Sequence, residues 1–106
     1  MGMAKYEFLR AVEPLLQVQL SLYSTEQGGK TKPISVGFAC PCFPEKDQTL
    51  LAHTGYPLLD DHTMHPGESR NVGYWFMLGE EAATRFRSSG RFFLWEGRFV
   101  GEAIVL

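Results

Sequence analysis

The segment QVQLSLYSTEQGGKTKPISVGF, from Gln17 to Phe38, decides the fold that the sequence predicts. Its first part alternates between apolar and polar residues as far as Tyr23, which is typical of a strand with one buried face. The polar stretch that follows contains Gly28-Gly29, which can supply the positive φ angles of a tight reversal. A second apolar run begins at Ile34. We therefore predict a hairpin that consists of a strand, a polar loop and a second strand.

Length and composition favour a single β-rich domain around this hairpin. A chain of 106 residues corresponds to one domain, and 44% hydrophobic residues are enough to build one core. Eleven glycines, six prolines and 13% aromatic residues suit strands and tight turns better than long helices, which favours a barrel or a sandwich. The formal charge of −2 argues against a general nucleic-acid binder, so any RNA contact must be local.

The first half of the chain holds two segments that are harder to assign. Residues Ala4 to Glu13 fit either a short helix or an irregular arm, which Pro14 ends in both cases. The run Cys40-Pro41-Cys42-Phe43-Pro44 contains two prolines without an amide donor, so we expect a sheet edge or the exit of a strand. Lys46 to His65 is expected to be a long surface connection with at most one short strand.

The second half has clearer signals. Pro66-Gly67 predicts a β-turn, and the apolar run Val72 to Leu78 predicts a strand. Gly79 to Arg87 carries acids early and bases late with Gly90 just beyond, which predicts a short helix. Two apolar runs joined at Glu96-Gly97 predict a closing hairpin.

Three ordered patches of the sequence resemble one known domain. The first patch has an acid, Gly-Gly, a base, a proline and a Gly-aromatic pair at fixed spacing, namely Glu26, Gly28, Gly29, Lys30, Pro33, Gly37 and Phe38. The second is Pro66-Gly67-Glu68, and the third runs from Arg91 through Glu96-Gly97-Arg98 to Gly101. Together they are similar to the C-terminal, third domain of elongation factor Tu. The chain departs from that pattern after Phe38, where Ala39-Cys40-Pro41-Cys42 lacks the usual base and displaces the proline.

The resemblance implies a fold and a function. It implies an all-β, six-stranded antiparallel Greek-key barrel over residues 17–106, with one short helix, after an N-terminal arm or short helix over residues 1–16. In the full-length elongation factor this domain helps to hold the T-stem side of aminoacyl-tRNA and packs against the GTPase domain. We therefore expect a non-catalytic module that binds tRNA or another component of translation elongation. The alternative is a protein-interaction or decoy module that mimics this domain in a contact with a GTPase or a toxin.

The candidate nucleic-acid site lies in the polar loop. Paired glycines let backbone N–H groups approach an anion, and the next three residues add two ammonium groups and a hydroxyl. The resemblance singles out Lys30 as the base, with Gly29 and Thr31 as neighbours, and Arg98 of the closing hairpin is a further candidate contact. The alternative is that the glycines serve only the turn and the lysines are only solvated. The candidate residues are Gly28, Gly29, Lys30, Thr31, Lys32 and Arg98.

Other chemistry is not expected. The set Cys40, Cys42, His53, His62 and His65 contains the residue types that zinc prefers, but Cys-Pro-Cys is not the usual spacing of a zinc site. We expect strand geometry to send the two thiols to opposite faces and to prevent a mutual disulfide. The chain has no phosphate-binding loop of the GTPase type. We therefore expect no catalytic residues, no metal, no cofactor and no small-molecule substrate.

Three further features are assigned to ordinary structure. The acid pairs Asp60-Asp61 and Glu80-Glu81 are expected to be solvated rather than catalytic. The aromatic runs Tyr74-Trp75-Phe76 and Phe92 to Trp95 could stack on bases, but are expected to belong to the core. No apolar run is long enough to span a membrane and the N-terminus does not resemble a secretion signal, so we expect a cytoplasmic protein that does not contact a membrane.

Overall fold

The structure is a computed structural model that describes residues 2–106, with side chains from Glu7 onward. Six strands close into an antiparallel barrel with the order β1-β4-β3-β2-β5-β6. The expected all-β, six-stranded antiparallel barrel is thus confirmed, whereas its Greek-key description stays a prediction. The elements in chain order are α1 (Gly2–Ala11), β1 (Leu16–Leu22), a 3-10 turn (Thr25–Gln27), β2 (Cys40–Phe43), β3 (His53–Leu58), β4 (Ser69–Phe76), α2 (Glu80–Ser89), β5 (Arg91–Trp95) and β6 (Phe99–Val105).

The core fills the inside of the barrel. Alternate residues of β1 point inward, because side chains of a strand alternate between its two faces. Each large apolar side chain that is fully buried in this way contributes about 1.5–3 kcal/mol. The fully buried side chains include Val18, Leu20, Tyr74, Phe76, Phe92, Leu94 and Val100 from the strands and Phe86 from α2.

The predicted first hairpin is wrong. Strand β1 pairs with β4 on one side and β6 on the other, so that Val18 lies opposite both Val72 and Val105. The apolar run after the loop forms no strand, and Ile34 makes a single bridge with Met64. Ile34 is nevertheless 2% exposed, so the run is apolar because it covers the core and not because it pairs with β1.

The assignment of the Cys-Pro-Cys run to an edge or strand exit is also wrong. Strand β2 is part of the barrel wall and is paired on both sides, with β3 and with β5. Its ladder with β5 begins only at Cys42, after the proline that has no amide to donate. Both thiols are buried and free, and they lie on the same face, because residues two apart in a strand share a face. The opposite-face expectation is therefore corrected.

Several local predictions are confirmed. The closing hairpin forms from β5 and β6, and the predicted short helix is α2, which ends at Gly90 with a φ of 76°. One short strand, β3, occupies the long connection from Lys46 to His65. The turn at Pro66-Gly67 is closed by a hydrogen bond from the Glu68 amide to the His65 carbonyl at 3.1 Å. Of the two alternatives for the N-terminal segment, the helix forms.

Helix α1 packs on the outside of the barrel. The Phe8 ring lies edge-on to Trp75 with centroids 5.1 Å apart, and Leu9 is buried. Arg10 forms an ion pair with Asp61 at 2.8 Å. None of the helices in the described part of the chain is long and apolar enough to cross a membrane.

The antiparallel pairing gives the barrel two distinct ends. At the loop end, β1 finishes beside the start of β4, and β5 turns into β6 at Glu96-Gly97. At the helix end, β3 starts beside the finish of β4, and α2 connects β4 to β5. The candidate RNA-binding residues belong to the loop end.

Candidate nucleic-acid interface at the loop end

The loop after β1 is shaped by its own backbone. The Ser24 hydroxyl accepts a hydrogen bond from the Gln27 amide at 3.2 Å and begins the 3-10 turn, which Gly28 ends with a φ of 90°. Gly29 is needed for a different reason, because a Cβ there would lie 2.1 Å from the carbonyl oxygen of Tyr23. The paired glycines thus fix a compact loop at the end of the barrel.

The closing hairpin holds this loop from a distance of 70 residues in sequence. The Arg98 guanidinium donates to the carbonyl of Gly28 at 2.6 Å and to that of Gly29 at 3.0 Å. The Lys30 ammonium forms an ion pair with the Glu96 carboxylate and lies 5.3 Å from the centroid of the Phe38 ring. Residues from the first and third patches of the sequence resemblance therefore meet at one place.

These contacts enclose a shallow groove of about 190 Å³. Three cations and one carboxylate line it, which leaves a local charge of +2. Lys32 is exposed and forms no ion pair with the side chains that the structure describes, and the neighbouring Thr31 is also exposed. The groove is lined by Lys30, Thr31, Lys32, Glu96, Arg98 and Val100.

The backbone of the loop is less open to an anion than the sequence suggests. The amide of Gly28 donates to the Thr25 carbonyl at 3.1 Å, and that of Gly29 donates to the Ser24 carbonyl at 2.9 Å. Neither N–H group is directed at an external anion. Contact with a phosphate would therefore fall to side chains, first to Lys32 and Thr31, and to Lys30 once its carboxylate partner is displaced.

The carboxylate of Glu96 is the part of this site that sequence reasoning missed. Lys30 retains 15% exposure of its side chain, and its charge is compensated by Glu96. The only sequence signal is the position of Glu96 in the closing hairpin, and nothing in that position identifies Lys30 as its partner. The pairing decides how much positive charge the loop presents.

The cysteines and histidines do not come together as a site. Cys42 is fully buried, and burial raises the pKa of its thiol well above the ordinary value, which keeps it neutral. His62 and His65 are exposed, whereas His53 is 2% exposed and packs edge-on against Phe86 with centroids 5.7 Å apart. No group of three or more potential metal ligands occurs among the residues that the structure describes.

His53 is kept neutral by its surroundings. Burial lowers the pKa of its imidazole below 6.5, and the nearby positive charge of Arg85 lowers it further, while Glu81 acts in the opposite direction. Its Nδ1 atom has no hydrogen-bond partner among the residues that the structure describes. This histidine therefore behaves as a core residue beneath α2.

The remaining candidates lie apart from the groove. Asp61 is paired with Arg10, and Glu80 lies 3.5 Å from Arg87 across α2. The aromatic runs divide by strand alternation, with Tyr74, Phe76 and Phe92 in the core. Trp75 and Trp95 are only partly buried and lie on the outer face.

Comparisons with known proteins add no relative, because no protein-family model matches the chain and no curated protein matches it. The likeness to the C-terminal domain of elongation factor Tu therefore stays a hypothesis that rests on the three patches of the sequence.

Proposed function

We propose that this chain is a non-catalytic binding module, similar to the C-terminal domain of elongation factor Tu, that contacts the phosphate backbone of tRNA or another RNA of translation. One observation supports the proposal above the others. Arg98 and Glu96 of the closing hairpin hold Gly28, Gly29 and Lys30, so two of the resembling patches form one groove. A groove with three cations and one carboxylate suits a single phosphate better than a long stretch of RNA.

The cations have different parts in the proposed contact. Lys32 is free to bind a phosphate as it stands, and the adjacent hydroxyl of Thr31 is a second donor. Arg98 is already bound to two carbonyls and fixes the loop in place. Lys30 must exchange the carboxylate of Glu96 for a phosphate, so Glu96 limits the affinity.

The test is the binding of labelled aminoacyl-tRNA, measured by fluorescence anisotropy over a range of salt concentrations. We expect the K30A/K32A variant to bind more weakly, with the salt slope reduced by about 1 for each lysine–phosphate pair that the substitutions remove. The E96Q variant should bind more tightly, because it frees the ammonium of Lys30. The matched control is R87A, which removes an exposed cation at the helix end and should leave binding unchanged.

The result that contradicts the proposal is equally specific. Unchanged affinity in K30A/K32A, or an equal loss in R87A, would show that the groove does not select RNA and that only overall charge matters. An unchanged affinity of E96Q for tRNA would show that Glu96 does not compete with phosphate for Lys30.

A second candidate function is a protein contact through the same end of the barrel, with a GTPase or a toxin as the expected kind of partner. The observation that favours it is the neutralisation of Lys30 by Glu96 in a chain of net charge −2, since both weaken attraction to RNA. Co-purification that recovers a protein and no RNA, and that is insensitive to K30A/K32A, would favour this function over the first.

A further inference from the structure

Exposed apolar side chains are concentrated at the helix end of the barrel. Among the side chains that the structure describes, seven large apolar residues are exposed, and four of them flank the start of β3 and the finish of β4 at this end. Isolated exposed apolar residues are ordinary, whereas a cluster indicates an interaction surface. The apolar patch consists of Leu50, Leu51, Met77 and Leu78, which are 37%, 66%, 58% and 58% exposed.

The fold brings the two halves of the apolar patch together. Leu50 and Leu51 precede β3, and Met77 and Leu78 follow β4, which is the antiparallel neighbour of β3. The Met77 amide donates to the Thr54 carbonyl at 3.0 Å, which extends the β3–β4 pairing to the patch. The Arg85 guanidinium, in the middle of α2, donates to the Leu51 carbonyl, so the helix that follows Leu78 also contacts the other half of the patch.

Three acidic residues lie next to the apolar patch in the chain. Glu80 and Glu81 form the first turn of α2 directly after Leu78, and both are exposed. Asp47 lies next to Leu50, whose amide donates to the Asp47 carbonyl at 3.2 Å. No ion pair involves Asp47 or Glu81 among the described side chains. The Arg85 guanidinium donates to the Leu51 carbonyl and keeps its positive charge, and Arg87 pairs with Glu80, so three carboxylates face two cations here.

We propose that the apolar patch docks a protein segment that presents apolar side chains flanked by lysines or arginines, such as a basic amphipathic helix. Apolar anchors would cover Leu51, Met77 and Leu78, and the flanking cations would pair with the carboxylates of Asp47 and Glu81. This surface is at the opposite end of the barrel from the RNA groove, so the proposal is independent of the proposed function.

Two other occupants fit the charges less well. A second copy of the chain, docked through the same patch on both copies, would bring the carboxylates of Glu80 and Glu81 close to their own counterparts. An anionic membrane surface would meet the same acidic rim, and like charges repel. Both occupants predict results that differ from those of a basic segment.

The first experiment uses a synthetic amphipathic peptide of leucine and lysine, about five helical turns long. Its matched control is a peptide of the same pattern in which every lysine is replaced by glutamate. We expect the leucine–lysine peptide to bind the full chain and to shift the amide NMR signals of residues 50–54 and 77–85. The leucine–glutamate peptide should bind at least about tenfold more weakly, because the charges then repel.

Matched variants assign the binding to the apolar patch. L51S/L78S should weaken peptide binding by at least about tenfold, since it removes two exposed apolar anchors. The control I104S/L106S removes two comparably exposed apolar residues at the finish of β6, outside the apolar patch, and should change affinity by less than about twofold. E80Q/E81Q should reduce both the affinity and its salt dependence without removing an apolar anchor.

The proposal is overturned by any of four results. The first two are equal binding of the two peptides, and a loss of peptide affinity in I104S/L106S as large as that in L51S/L78S. The other two are binding to anionic vesicles that L51S/L78S abolishes, and a dimer in solution that L51S/L78S dissociates. RNA binding should be the same in L51S/L78S and in the unmodified chain. A loss of peptide binding with intact RNA binding therefore separates the two proposals.

Discussion

Single residues at the loop end show how two adjacent glycines serve different physical needs. Gly28 has a φ of 90° with nothing within 4 Å of an added Cβ, so its requirement is conformational. At Gly29 the obstacle is backbone, with the Tyr23 carbonyl oxygen 2.1 Å from an added Cβ. A flexible side chain could move aside, but the end of β1 cannot move without disturbing its ladder with β4 and β6.

The two glycines therefore respond differently to alanine. We expect Gly28→Ala to lower the free energy of unfolding by about 1 kcal/mol, the typical cost of a left-handed backbone for a residue with a Cβ. Gly29→Ala should lower it by about 3 kcal/mol, because the Tyr23 carbonyl must shift. Urea denaturation of the two variants measures both losses. A loss in Gly28→Ala that equals or exceeds the loss in Gly29→Ala would contradict this account.

Some residues of the candidate site can be recognised from the sequence, and one contact between them cannot. Glycines and lysines in a polar loop are recognisable, because turn chemistry and charge are local properties. The link between Lys30 and Glu96 is not, since 66 residues separate them and either could pair with many other groups. The sequence thus predicts the bases, but the carboxylate that compensates one of them becomes visible only in the fold.

At the scale of elements, the predictions succeed where partners are neighbours in sequence. The β5–β6 hairpin and helix α2 carry their own turn and capping signals, so both are placed correctly. Strand β1 is recognised but given the wrong partner, because the run from Ile34 is apolar like a strand. Alternation shows that one face of β1 is buried, but it does not show which distant strands bind its two edges.

Helix α2 is fixed to the barrel by three buried side chains, of which Phe86 is the largest. Phe86 is fully buried, and its ring lies 4.8 Å from that of Phe92 and 5.3 Å from that of Phe76, measured between centroids. We expect Phe86→Ala to lower the free energy of unfolding by about 3–5 kcal/mol, since it leaves a cavity in the core. Phe8→Ala in α1 should cost about 1 kcal/mol, because Phe8 is 48% exposed and packs edge-on against Trp75.

Denaturation followed by circular dichroism and by tryptophan fluorescence measures both variants. Similar losses in Phe86→Ala and Phe8→Ala would mean that α2 is no more firmly attached than α1. In that case the rim of the apolar patch would not be held rigidly beside Leu78, and the patch would have to be assigned without α2.

At the scale of the whole molecule, the closed barrel separates two surfaces of opposite character. The loop end presents a groove with a local charge of +2, and the helix end presents the apolar patch with its acidic rim. Strand β4 has eight residues and runs from one end to the other, which corresponds to about 25 Å at the usual rise of a strand. A closed sheet has no free edge, so binding is left to these ends and to the outer face.

This separation predicts that the two ends act independently. Substitutions more than about 10 Å apart with no shared partners add to within about 0.5 kcal/mol. We therefore expect the combined variant K30A/K32A/L51S/L78S to lose a free energy of unfolding equal to the sum of the losses in K30A/K32A and L51S/L78S. Urea denaturation of the four proteins gives the coupling energy directly. A coupling above about 1 kcal/mol would exceed ordinary non-additivity and show that the barrel transmits changes between its ends. Occupation of one end would then alter affinity at the other, because coupling between two sites is reciprocal.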